Sequence, residues 1–160
     1  MSKLYVDEIQ PKTAGGVVTM PTRIAFKAHG ANGAYIDTTP IPFPAVKFNY
    51  GNGYNHGTYT FTVPVAGLYH FGVFLGILRQ IGASQAAYPF LKIMRGGSTL
   101  FSQYFYMQST ATGDLYNGAH ITTIHQCEVG DTAYATFAKS GNGAYYNDGS
   151  ESSFYGYLIG

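Results

Sequence analysis

The sequence predicts an all-β fold, a sandwich of two antiparallel sheets, and three observations carry that prediction. Apolar residues recur with a period of two in segment after segment, the spacing of strands that bury one face. Four Asn-Gly pairs, at 32–33, 52–53, 117–118 and 142–143, offer the positive φ that tight turns between antiparallel strands require. No window keeps a helical period over three turns, and no strand–helix–strand spacing appears. Composition agrees, with 15 Tyr, 11 Phe and 21 Gly in 160 residues. Apolar residues make up 46% and charged ones only 11%, where about 25% charged is ordinary. The length suits one domain with a two-layer core. So few charges leave a surface less polar than a lone domain carries, which points to subunit contacts.

Residues 1–23 stand apart. A short extended apolar piece, Leu4 to Ile9, is followed by Pro11 and Gly15-Gly16 and cannot bury enough surface to order alone. It is expected to be an anchoring arm, with Leu4, Tyr5, Val6 and Ile9 adding a strand to a neighbouring molecule. The folded domain is expected over 24–160. In Arg23 to Ala31, Ile24, Phe26 and Ala28 alternate with polar neighbours as a first strand. A Pro-rich loop, Thr39 to Pro44, leads into Ala45 to Tyr50, where Val46, Phe48 and Tyr50 share a face, and Gly51 to Gly57 is a loop.

Gly57 to Leu78 is the centre of the chain. Tyr59, Phe61 and Val63 point one way and Thr58, Thr60 and Thr62 the other. Pro64 cannot donate to a ladder and Gly67 is permissive, so a turn lies between them. Tyr69, Phe71, Val73, Leu75 and Ile77 then form a second apolar face, opposite His70, Gly72, Phe74 and Gly76. The expected unit is a hairpin, with Tyr59, Phe61, Tyr69, Phe71 and Val73 in the core.

Beyond it, Arg79 to Ala87 reads as a loop, Tyr88 to Met94 as a strand turning at Arg95-Gly96-Gly97, and Thr99 to Met107 as a strand. Ser109 to Gly113 is a loop. Ala119 to Cys127 and Thr132 to Ala138 are expected to pair as a hairpin across Glu128 to Asp131, and Ser140 to Ser152 to form a loop. In Ser153 to Ile159, Phe154, Gly156 and Leu158 face one way and Tyr155, Tyr157 and Ile159 the other. A strand apolar on both faces must be covered on both sides.

Phe61-Thr-Val-Pro-Val-Ala-Gly-Leu-Tyr-His-Phe71 resembles the signature strand pair of C1q-like domains. Leu91-Lys-Ile-Met-Arg-Gly-Gly97, Glu128-Val-Gly-Asp-Thr-Ala-Tyr134 and the terminal Ser152-Ser-Phe-Tyr-Gly-Tyr-Leu158 resemble further family motifs, in the family's order. The resemblance covers 24–159 and implies a jelly roll of the C1q and tumour-necrosis-factor superfamily, usually trimeric. A trimer would bury the aromatic face of one sheet, expected at Phe74, Tyr155, Tyr157 and Ile159, with Gly72 and Gly76 allowing close approach. Residues 1–23 carry no collagen-like Gly-x-y repeat. Leu4-Tyr-Val-Asp-Glu-Ile9 with Pro11-Lys-Thr-Ala-Gly-Gly16 resembles instead the N-terminal segments of structural proteins of marine tailed phages.

Chemistry is scarce. A net charge of +1 with no Lys or Arg cluster gives no basis for binding nucleic acid. The longest apolar run, Val73 to Leu78, is far too short for a membrane span. The N-terminus has no apolar signal region, and a single Cys127 forms no internal disulfide, so folding in a host cytoplasm is expected. His120 and His125, five apart on one strand, point to opposite faces, and no metal-ligand spacing or nucleophile context occurs. No cofactor is expected. The resemblance implies one place for calcium, the loop carboxylates Asp131, Asp148 and Glu151; one chain supplies too few for a cation that takes six to eight oxygens, and a trimer axis would multiply them. Tyr54, His56, Tyr145, Tyr146 and Asn147 sit among Gly, Ser and Asn, the composition of adaptable contact surfaces, glycan-binding ones included. The expected role is a non-enzymatic virion protein: a trimeric knob held by its arm to other capsid or tail proteins, as a capsid decoration or a short tail fibre or tip meeting a host surface glycan. The competing expectation is a secreted C1q-like ligand or lectin-type module.

Overall fold

The structure, a computed structural model, describes residues 23–30, 34–35, 40–81, 85–109, 115–139, 144–147 and 151–160. The arm residues Leu4, Tyr5, Val6 and Ile9 lie outside these, as do Asp148 and two of the Asn-Gly pairs. The strands are β1 (Ala25–His29), β2 (Ala34–Tyr35), β3 (Ala45–Tyr50), β4 (Tyr54–Asn55), β5 (Thr60–Thr62), β6 (Gly67–Ile81) and β7 (Gln85–Arg95). There follow β8 (Ser98–Tyr104), β9 (Met107–Ser109), β10 (Leu115–Cys127), β11 (Thr132–Lys139), β12 (Ala144–Asn147) and β13 (Ser153–Leu158).

They form two antiparallel sheets. The first runs β2-β12-β6-β13-β1-β3, with β10 on the other side of β6; the second runs β4-β5-β11-β7-β8, with β9 beside β7. This is the expected two-layer all-β sandwich.

The two expected central hairpins are not hairpins. β5 lies in the second sheet, paired with β11, whereas β6 lies in the first, paired with β10 and β13. β10 and β11 are likewise in different sheets. Each corner carries the chain across the sandwich, which is why Phe61 and Tyr69 meet through the core, tilted at 5.9 Å between centroids, instead of side by side on one strand pair. The corners hold each other: Val63 N–H donates to the Asp131 carbonyl (2.8 Å) and Gly130 N–H to the Val63 carbonyl (2.9 Å). Gly130 has φ +90°, which a side chain would strain. Alternation alone says that two segments are strands; it does not say that neighbours in sequence pair.

The core is aromatic. Phe26 stacks on Tyr54 (4.9 Å between centroids) and Phe61 (4.7 Å) and meets the edge of Phe154 (4.8 Å). Tyr69 and Phe71 stack beside them, and Phe61, Tyr69, Phe71 and Val73 are all fully buried, as expected. Tyr59 is not with them. It sits half-buried in the turn before β5 with φ +56°, so the alternation starts at Thr60. Gly156 leaves the space that two of these rings occupy, since a Cβ there would come 2.5 Å from Phe71 and 2.9 Å from Phe26.

Other expected loops are shorter than they read. β6 and β7 extend through all but 82–84 of the segment Arg79 to Ala87, and β12 occupies 144–147 of the segment Ser140 to Ser152. Asn117 and Gly118 make no turn; they lie inside β10 at a register shift opposite β6. Asn52, with φ +52°, does turn the chain after β3. Arg95-Gly96-Gly97 turns β7 into β8 with both glycines at positive φ, as expected.

Asp131 locks the crossing corner. It is 1% exposed and accepts both the Arg95 Nε and Nη2 donors at 2.7 Å and the Glu128 N–H at 2.9 Å. The Arg95 pair, above all, holds its carboxyl below the usual carboxylate range. A depressed folded pKa contributes stability at and above the unfolded pKa and loses it as pH falls toward the folded value. Asp131→Asn should therefore lower the urea midpoint at pH 7, and its deficit against the unmutated chain should shrink below about pH 4. A deficit that stays constant down to that range would show that the ion pair does not act this way.

Candidate functional site

The outer face of the first sheet carries a broad apolar surface outside the core. Cross-strand register sets Tyr50, Ala25, Tyr157, His70 and Ile124 in one row across β3, β1, β13, β6 and β10. The next row is Phe48, Lys27, Tyr155, Gly72 and Thr122, and Phe74 lies beside His120 beyond it. Phe74, Tyr155, Tyr157 and Ile159 thus share this face, and the structure brings them together. Phe154 and Gly156 turn inward, so the two-faced reading of β13 describes it.

Tyr155 organises the middle of the face. Its ring lies across β6 over Gly72, where a Cβ would collide with the ring and its hydroxyl, and its oxygen sits 3.2 Å from His120 Nε2. Burial, with the neighbouring Tyr157 second, raises its phenol pKa above the ordinary value. Gly72 therefore makes room for a side chain of its own subunit, and at Gly76 a Cβ would meet the Glu151 backbone. Neither glycine offers the open approach to a neighbouring subunit that was expected of it. His70 packs against Tyr155 and Tyr157, at 5.9 and 5.1 Å between centroids, and its buried Nδ1 has no hydrogen-bond partner among the described residues.

At the end of the face where β1 begins, Arg23, Phe48, Tyr50, Tyr157 and Ile159 line an open, mostly apolar groove of about 530 Å³. Phe48, Tyr50 and Ile124 belong to the surface but not to the expected set. The shared face of Phe48 and Tyr50 was visible in their alternation. What was hidden is that β3 is an edge strand whose apolar face looks outward. Ile124 could be placed only once β10 was known to pair with β6.

The residues expected in ligand-contact loops lie in two places, around β4 and in β12. Tyr54 is 4% exposed, stacked in the core, and donates its hydroxyl to the Phe43 carbonyl at 2.9 Å; burial pushes its phenol pKa well up. His56 is exposed in the turn before β5. Tyr145, Tyr146 and Asn147 lie in β12, paired with Gln80, Arg79 and Leu78 of β6. Asp131, a calcium candidate on sequence, spends its carboxylate on Arg95 and Glu128, and Glu151 stands exposed. Among the described residues no three His, Cys, Asp or Glu side chains converge as metal ligands. Cys127 is fully buried, and burial lifts its thiol pKa to about 11, which suits packing and not nucleophilic work.

A family model described as the C1q domain matches residues 25–159. The chain belongs to the C1q domain family. Among solved structures, the globular domain of the zebrafish complement 1qA protein is 16% identical, with a TM-score of 0.60 over 86% of this chain and 98% of that one. The Eiger TNF of S. frugiperda is 15% identical, with a TM-score of 0.62 over 87% and 94%. At such identities the C1q domain shares with both a fold and nothing more specific. No curated protein matches the chain. The resemblance read from the motifs is thereby borne out for the domain; the phage-like arm lies outside the matched residues.

Gly72→Ala should destabilise the C1q domain by about 1–3 kcal/mol, because Tyr155 must leave its seat over β6. In a Tyr155→Ala background the same change should cost much less, measured by urea unfolding as a double-mutant cycle. Equal costs in both backgrounds would show that Tyr155 is not what the glycine accommodates.

Proposed function

We propose that the chain is a non-enzymatic binding module that works as a homotrimer, with the outer face of its first sheet turned toward the threefold axis. One observation carries this reading. Phe48, Tyr50, Ile124, Tyr157 and Ile159 stand 39–58% exposed together on a single sheet face, the kind of apolar surface that an interface covers. C1q domains are typically trimeric and non-enzymatic, which supports both halves of the proposal. A heterologous contact that closes after three copies covers this face in every copy.

The finer reading seats the trimer on a tailed-phage particle assembled in the host cytoplasm, as a capsid decoration or a short tail fibre or tip. Its support is the sequence of residues 1–23, with Leu4, Tyr5, Val6 and Ile9 as anchors. A secreted C1q-like ligand or lectin-type module fits the domain equally well, and the arm is what distinguishes them.

Tyr157→Asp should convert the trimer into a folded monomer, with unchanged near-ultraviolet circular dichroism and about a third of the native mass by light scattering. A variant that keeps the full native mass would exclude this face from the interface. Deleting residues 2–16 should leave the trimer intact but abolish its incorporation into particles. Undiminished incorporation would mean that the arm is not the anchor.

A further inference from the structure

We infer that the outer face of the second sheet, opposite the proposed interface, is a platform for an acidic saccharide. The inference deepens the binding-module reading by naming a ligand, but its readout does not depend on the trimer. Tyr88 and Phe90 of β7 project outward, alternating with the buried Pro89 and Leu91, beside Tyr104 of β8 and Tyr106 just after it. Their rings form a continuous row: Phe90 to Tyr104 at 5.4 Å, Tyr104 to Tyr88 at 5.8 Å, and Tyr88 to Tyr106 at 5.4 Å. Lys92 ends the row, its Nζ 5.5 Å from the Phe90 centroid.

Exposure separates this row from the core. Tyr104 is 56% and Tyr106 49% exposed, although both could have been smaller or polar on a solvated strand. Successive rings are tilted by 47–69°, so faces and edges alternate along the row. Rings that carry a hydroxyl on an apolar body suit a ligand with the same duality. A pyranose has it, with a C–H face to lie on a ring and hydroxyls at its rim. Beside the row, Ser102 and Tyr134 lie opposite Lys92 and the small Ala138 opposite Tyr88, so it runs as a track along β7 and β8. A protein partner would need about 800 Å² of surface from this side. An extended chain of sugars needs only a track.

Charge selects the kind of sugar. Residues 85–109 contain Lys92 and Arg95 and no Asp or Glu, and β11 adds Lys139 and no acid. Arg95 is committed to Asp131, and Lys92, over the Phe90 ring, is the cation in contact with the row. The complement is a carboxylate-bearing glycan, its rings over Tyr104, Tyr88 and Tyr106 and a carboxylate toward Lys92.

The test is affinity electrophoresis of the full chain in gels containing alginate, a polyuronate, with dextran and poly-glutamate as neutral and non-sugar controls. Alginate should retard the protein, more strongly at low than at high salt, and the controls should not. Tyr104→Ala with Tyr106→Ala should weaken retardation at least about tenfold, a loss of roughly 1.4 kcal/mol, while thermal midpoint and native mass stay unchanged. Lys92→Gln should remove the preference for alginate over dextran. No retardation by alginate, equal retardation by poly-glutamate, or retardation indifferent to the tyrosines would each overturn the inference. A monomeric native mass with alginate binding intact would leave it standing and overturn the trimer instead.

Discussion

The carboxylate of Asp131 and the backbone around it hold two of the places where the chain leaves one sheet for the other, the β5–β6 and β10–β11 corners. Both corners are short, and both must deliver a strand in register on the far side of the core. Their mutual hydrogen bonds, Val63 to Asp131 and Gly130 to Val63, make them one structure. Arg95, coming from the end of β7, adds a third segment to the same point. Tyr69 closes it from inside the core by donating its hydroxyl to the Val65 carbonyl at 2.7 Å. Once these crossings are set, β5 and β11 are adjacent in one sheet, and β6 and β10 in the other. The burial of Phe61 against Tyr69 and Phe71 follows from that pairing.

The abundance of aromatic residues then divides three ways, and the division sets function. One group, around Phe26, Tyr54, Phe61, Phe71 and Phe154, fills the core at ring separations that leave no room for a side chain at Gly156. A second, Tyr50, Phe48, Tyr155 and Tyr157, paves the outside of the first sheet. A third, Tyr88, Tyr104 and Tyr106, stands on the outside of the second. A sandwich needs only the first group to fold. The other two are surface that the fold does not explain, and they lie on opposite faces, so an assembly can bury one and still present the other.

The strands, the buried alternation of β6 and the family were legible in the sequence because period-two patterning and short motifs are local. Pairing was not legible, because a corner such as Pro64 to Ala66 looks the same whether the chain folds back or crosses over. That single ambiguity accounts for both mistaken hairpins. Candidate contact residues fared worst for a related reason. Tyr54 among Gly and Asn reads as an exposed loop aromatic, yet Asn49 holds it from both sides, donating to its carbonyl at 2.8 Å and accepting its N–H at 3.0 Å. That clamp turns the ring into the core against Phe26. Asp131 reads as a free loop acid until Arg95, 36 positions earlier, is found beside it. The outward face of β13 was predictable because both of its faces were apolar over consecutive residues.

The claim on which the functional account rests is that the aromatic face of the first sheet is covered by other copies of the chain. Sedimentation equilibrium of the unmutated protein, across a wide range of dilution, measures this most directly. The account predicts a single species of about three times the 17.3 kDa of one chain, persisting on dilution. A monodisperse species of one chain mass at all concentrations would contradict it, and would leave the exposed face of Tyr50, Tyr157 and Ile124 to a different partner.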